Sequence, residues 1–97
     1  MIRGTTPVVI LNTPMEIPFE VLYVTFQQKG KTIFEKTLED MLVEGTKIVI
    51  PLTQADTLAF DAKEIVRIQL RGKAGDKAYA SKVVQTLVSD ILKDGEI

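Results

Sequence analysis

The residue types in this chain that could do chemistry are its carboxylates. Glu39, Asp40 and Glu44 form one cluster, and Asp56, Asp61 and Glu64 form a second. Paired acids carry out glycoside hydrolysis, and a ring of oxygen donors holds calcium. Neither cluster has the Asp-x-Asp-x-Asp-Gly spacing of a calcium loop. Asp is favoured in turns by its local hydrogen bonding, so both clusters read as solvated turn residues and caps. A hydrolase or carbohydrate-binding module would need Asp56, Asp61 and Glu64 to converge in a pocket. The chain has no His and no Cys. That removes the usual general base near neutral pH, the thiolate nucleophile, disulfides and Cys-based zinc sites. Ser81 and Ser89 have no His partner and no Gly-x-Ser-x-Gly elbow. Ser81 and Lys82 are neighbours on an expected strand and point to opposite faces, so they cannot form a dyad. Gly72-x-x-Gly75 lacks the Lys-Ser/Thr pair and following helix of a phosphate loop. The expectation is a protein that is not an enzyme, with no catalytic, cofactor-binding or metal-binding residue and no cofactor.

Two surface constellations remain. Arg67, Gln69, Arg71, Lys73 and Lys77 line up along one strand face and the following loop. Such a stripe tracks phosphates when aromatic platforms flank it, and Tyr79 is the sole aromatic residue nearby in sequence. A solvated sheet face, or charges that guard an edge strand, accounts for the stripe without a ligand and is the favoured reading. Twelve Lys and Arg against thirteen Asp and Glu leave a net charge of −1. No bulk field therefore draws the chain to nucleic acid or anionic lipid, and neither is expected as a partner. In the second constellation, Glu20 to Gln28 carries Leu22, Val24 and Phe26 on one face and Val21 and Tyr23 on the other. A sandwich strand needs only one buried face. Either Met15, Ile17 or the chain termini cover the second face, or a partner does, with Tyr23 as an anchor. The candidate interface residues are Val21, Tyr23, Arg67, Gln69 and Arg71.

The elements that would position these residues are short strands. Val8 to Leu11 is a first strand, ended by Asn12-Thr13-Pro14. Met15, Ile17 and Phe19 alternate across Pro18, as an edge segment would. Glu20–Gln28 and Lys31–Leu38 flank Lys29-Gly30 as a hairpin. Glu39 to Gly45 is turn-like, with Met41 and Leu42 tucked inward. Thr46 to Leu52 is a strand with Ile48, Ile50 and Leu52 on one face. Thr53 and Asp56 have capping-box spacing, so 53–60 holds one short helical turn. Glu64 to Arg71 puts Val66, Ile68 and Leu70 inside and Arg67, Gln69 and Arg71 outside. Gly72 to Asp76 reads as a loop. Lys77 to Val88 is a last strand with a bulge near Val83-Val84, and Ile91 and Leu92 anchor a polar tail. The pattern predicts an all-β fold: a single antiparallel, Ig-like β-sandwich of about six to eight strands, with a small open β-barrel as the alternative.

Ninety-seven residues make one domain, 1–97, with one core and little left to enclose a deep site. No stretch approaches the roughly 18 apolar residues of a membrane helix. The Val8–Leu11 run is too short for a signal-peptide core, so export by a signal peptide is not expected.

Several ordered segments carry a resemblance. They are Met1-Ile2-Arg3-Gly4-Thr5-Thr6-Pro7, Thr25-Phe26-Gln27-Gln28-Lys29-Gly30-Lys31, Lys36-Thr37-Leu38-Glu39-Asp40, Leu52 to Phe60, and Val66 to Arg71. Together they resemble small prophage and tailed-phage proteins of Gram-positive bacteria. Residues 8–19 depart from that pattern. The hairpin-rich layout is also similar, at the level of fold, to the N-terminal β-sandwich of phage baseplate upper proteins. The resemblance implies a virion structural or assembly role in the tail or baseplate. Its partners would be other phage structural proteins or copies of the chain itself, in the virion or the bacterial host cytoplasm. The competing expectation is a small phage-encoded regulator or inhibitor that binds a host protein or nucleic acid.

Overall fold

A computed structural model describes residues 1–97. Its strands are β1 (Val8–Asn12), β2 (Val21–Gln28), β3 (Lys31–Thr37), β4 (Leu42–Glu44), β5 (Lys47–Pro51), β6 (Ile65–Ala74), β7 (Lys77–Ala80) and β8 (Val84–Leu87). A 3-10 turn spans Leu38–Asp40, and a short helix, α1, spans Gln54–Leu58. The strands form two antiparallel sheets. One has the order β1-β5-β4; the other runs β3-β2-β6, with β7 and β8 both paired to the far side of β6. The sheets stack as a sandwich and do not close into a barrel.

Strict alternation builds the interior. Leu22, Val24 and Phe26 of β2 and Val66, Ile68 and Leu70 of β6 face Leu11 of β1 and Ile48 and Ile50 of β5. Leu52, Phe60 and Val88 close the core, and all twelve side chains are buried. The rings of Phe26 and Phe34 stack at 4.6 Å, and Phe34 lies 5.2 Å from Phe60.

The connections follow from local chemistry. Lys29 and Gly30 both adopt positive φ (53° and 74°), the mirror-image turn whose twist suits a two-residue hairpin. Three residues later Ile33 is left unpaired, because Phe26 faces Phe34 while Gln27 faces Thr32. Thr53 and Asp56 close the expected capping box at α1, with Thr53 N–H donating to Asp56 Oδ2 at 2.9 Å. Gln28 is buried. Its side-chain amide donates to Asp61 O at 2.9 Å and accepts from Asp61 N at 2.7 Å, pinning the segment after α1 to the end of β2.

Some expectations need correction. Met15 to Phe19 forms no strand, since Pro14 and Pro18 lack ladder donors; it packs by side chains instead. Ile17 is buried, and Phe19 lies on Gly72 and meets the Tyr79 ring edge-on at 6.0 Å. Gly72, Lys73 and Ala74 belong to β6, because β7 continues the ladder out to Ala74↔Lys77. Residues 42–44 form a strand, so parity turns Val43 toward the core and leaves Leu42 exposed. The last strand breaks at Ser81, earlier than Val83-Val84. There Ser81 Oγ accepts from Leu70 N–H and Ser81 N–H donates to Leu70 O, both at 2.9 Å. Leu92 is fully exposed, and Val88 is the buried anchor of the C-terminal segment. No helix is long and apolar enough to cross a membrane.

Candidate functional site

The outward side chains of β2 and β6 form one continuous face. Register places Val21 opposite Lys73, Tyr23 opposite Arg71, Thr25 opposite Gln69 and Gln27 opposite Arg67. Directly opposed side chains on one face stand about 5 Å apart at Cβ. All five residues singled out by sequence, Val21, Tyr23, Arg67, Gln69 and Arg71, therefore share a surface, though they come from strands distant in the chain. Val21 and Tyr23 are 42% and 43% exposed, so neither Met15, Ile17 nor the termini cover them. Met15 itself is exposed, and Ile17 turns into the opposite side of the sheet.

The stripe loses one member. Lys77 pairs with Ala74, which has the parity of inward-facing Leu70 and Gly72, so it leaves the face of Arg71 and Lys73. Tyr79 pairs with Gly72, likewise on the inner side. The aromatic neighbour of the cations is Tyr23, which sequence distance conceals.

Electrostatically the face is cationic. No carboxylate lies within ion-pairing distance of Arg67, Arg71 or Lys73; the ion pairs of the chain involve Arg3, Lys29 and Lys36. The nearest acid on the face, Glu35 of β3, accepts a 2.9 Å hydrogen bond from Thr25 Oγ1. Gln69 is held by donation to Ser81 O at 2.9 Å. Two shallow hollows flank Arg71: one of about 200 Å³ against Gln27, Arg67 and Val83, the other of about 350 Å³ against Tyr23, Glu35 and Lys73. Ile65 and Leu87, paired across β6 and β8, add an exposed apolar patch beyond Arg67. Parity with Arg67 could have revealed Ile65, whereas the break at Ser81 hides the phase of Leu87.

The carboxylate clusters do not form a catalytic pocket. Asp56 Oδ2 caps α1 and accepts an ion pair from Lys36 Nζ at 2.8 Å. Burial pushes the Asp56 carboxyl up, but the Lys36 hydrogen bond, the Thr53 N–H and the Lys36 charge outweigh it and hold the group below its ordinary value. Asp61 and Glu64 flank Lys29 Nζ at 3.9 and 3.5 Å, with Asp61 70% exposed. Asp40 accepts from Thr37 N–H at 2.9 Å. No group of three or more carboxylates is gathered to hold a metal ion. Ser81 Oγ is spent on Leu70 N–H and on Lys82 O. What the molecule offers is a flat, polar-rimmed sheet face with one exposed aromatic ring. No family model, curated protein or solved structure matches the chain.

Proposed function

We propose that this chain is a non-enzymatic interaction module, a virion structural or assembly protein of a tailed phage that docks through the outer face of β2 and β6. One observation carries the reading: Tyr23 and Val21 are left uncovered on a strand whose other face is fully buried, beside Arg71 and Lys73 with no ion-pair partner. Tyr and Arg are the residue types that dominate binding energy at protein interfaces. The unpaired cations suit a partner surface rich in carboxylates. The phage setting comes from the resemblance of the ordered segments given above, and the lack of His and Cys supports a role without bond-making.

The test is proteomic and mutational. Purified virions analysed by mass spectrometry should contain the chain, cross-linked through Lys73 to a neighbouring structural protein. Tyr23→Ala or Arg71→Ala should weaken that association by on the order of 2 kcal/mol. Absence of the chain from both virions and their assembly intermediates, or an association untouched by either substitution, refutes the reading.

A second reading is favoured by Tyr23 lying directly across from Arg71. A ring beside a cation is the element of a stacking platform for single-stranded nucleic acid. This reading makes the chain a small regulator. A fluorescent oligonucleotide at low salt checks it: no binding there, where counterion release is most favourable, dismisses it.

A further inference from the structure

We infer that the free edge of β1 is a self-pairing site, joining two copies of this chain through an antiparallel β1–β1 ladder about a two-fold axis at Ile10. This surface lies on the other sheet from Tyr23 and Arg71, and the inference does not rest on the docking face.

Register and hydrogen bonding fix which groups are free. Leu52 N–H donates to Pro7 O at 2.9 Å, and Thr13 N–H donates to Thr46 O at 2.8 Å. With Val8↔Pro51 through Asn12↔Lys47 between them, the odd positions of β1 bond to β5. The backbones of Val8, Ile10 and Asn12 therefore point outward, and no second strand is bonded to β1; its edge opens onto a groove shared with Ser81, Lys82 and Val84. Unpaired edge groups are a template for another strand.

The other edges are charged, interrupted or shorter, β8 having four residues. β3 carries Lys31, Glu35 and Lys36 and the irregularity at Ile33. β4 has three residues and ends at Glu44. β7 starts at Lys77 and stops at the Ser81 break, and the last carbonyl of β8, Leu87 O, accepts from the Met1 ammonium at 2.9 Å. β1 reads Val-Val-Ile-Leu-Asn, with no charge, Pro or bulge, and the Val8 and Ile10 side chains are each 53% exposed.

A second copy fits this edge because the strand is complementary to itself. With Ile10 opposite Ile10, Val8 meets Asn12 at both ends, so all three outward positions become hydrogen-bonded pairs and no like charges meet. Pro14, which has no N–H, ends the ladder beyond Asn12.

Light scattering on the full chain over a concentration series is the first measurement; the mass should rise from 10.8 kDa to twice that. Ile10→Lys and Ile10→Glu should each be monomeric, since like charges then face across the axis, and an equimolar mixture should dimerise again. Amide exchange of the unmodified chain supplies an arm that no substitution can confuse. Protection of Val8, Ile10 and Asn12 should grow with concentration. The idea is overturned by a chain monomeric at every concentration, by a dimer unmoved by Ile10→Lys, or by a mixture no larger than its components. Amides at these positions that exchange freely in a dimer overturn it too. Tyr23→Ala should leave the dimer intact; if it abolishes the dimer, the contact lies on the docking face instead.

Discussion

Gly72 shows how one missing side chain shapes this molecule. A Cβ there would sit 2.6 Å from the Phe19 ring and 2.9 Å from Leu22. Phe19 can close the gap between the sheets only because position 72 is bare. Gly72→Ala should therefore cost about 1–3 kcal/mol by overpacking, read as a lower denaturant midpoint with unchanged slope. The residue reads as a loop glycine in sequence, because Gly72 and Gly75 bracket a polar stretch. Its pairing partners Leu22 and Tyr79 and its packing partner Phe19 come from other elements, and the two ladders make Gly72 a strand residue. The same limit applied to Tyr23. Its exposure was open to alternation arguments, but its place beside Arg71 depended on how β2 registers with β6.

Among the elements, those governed by local rules were legible. The Lys29-Gly30 hairpin, the Thr53–Asp56 capping box and the inward faces of β2, β5 and β6 all follow from neighbours within a few residues. Gly30 has φ +74° and open space around its missing Cβ. Gly30→Ala should thus lose about 1–2 kcal/mol by backbone strain alone, leaving near-ultraviolet signals of the aromatic core unchanged. The capping box sets a pH dependence. Asp56 has a folded-state pKa below its ordinary value of 3.8, so its stabilising contribution is complete above that value. That contribution is lost as the pH falls from there through the folded-state pKa. Asp56→Asn should flatten this acid limb of the stability curve while lowering stability at neutral pH. The elements that stayed hidden, β4 and the broken β7–β8 strand, are short and depend on partners. Three residues carry too little periodicity to read, and the kink at Ser81 is imposed by Leu70 across the ladder.

At the scale of the whole molecule, the two chain ends are tied together. Arg3 Nε donates to Phe60 O at 2.8 Å, Nη2 donates to Leu58 O at 3.1 Å, and Nη1 lies 3.4 Å from Asp90 Oδ1. Ser89 N–H donates to Met1 O at 2.7 Å, and Arg3 N–H donates to Ser89 O at 3.0 Å. One guanidinium thus satisfies carbonyls at and just beyond the end of α1 while joining the N-terminal strap to the segment beyond β8. Arg3→Met should remove about 2 kcal/mol of stability, measured by chemical denaturation, because charge-assisted hydrogen bonds are among the stronger ones.

The guarded borders set a stoichiometric ceiling. Lys31, Glu35, Lys36 and Glu44 line the borders of β3 and β4, and the Met1 strap and the Ser81 kink interrupt those of β7 and β8, which leaves β1 as the longest uncharged seam. Two copies stitched along that seam about a two-fold axis would occupy it in both, so head-to-tail growth into fibres through β1 would stall at a closed pair.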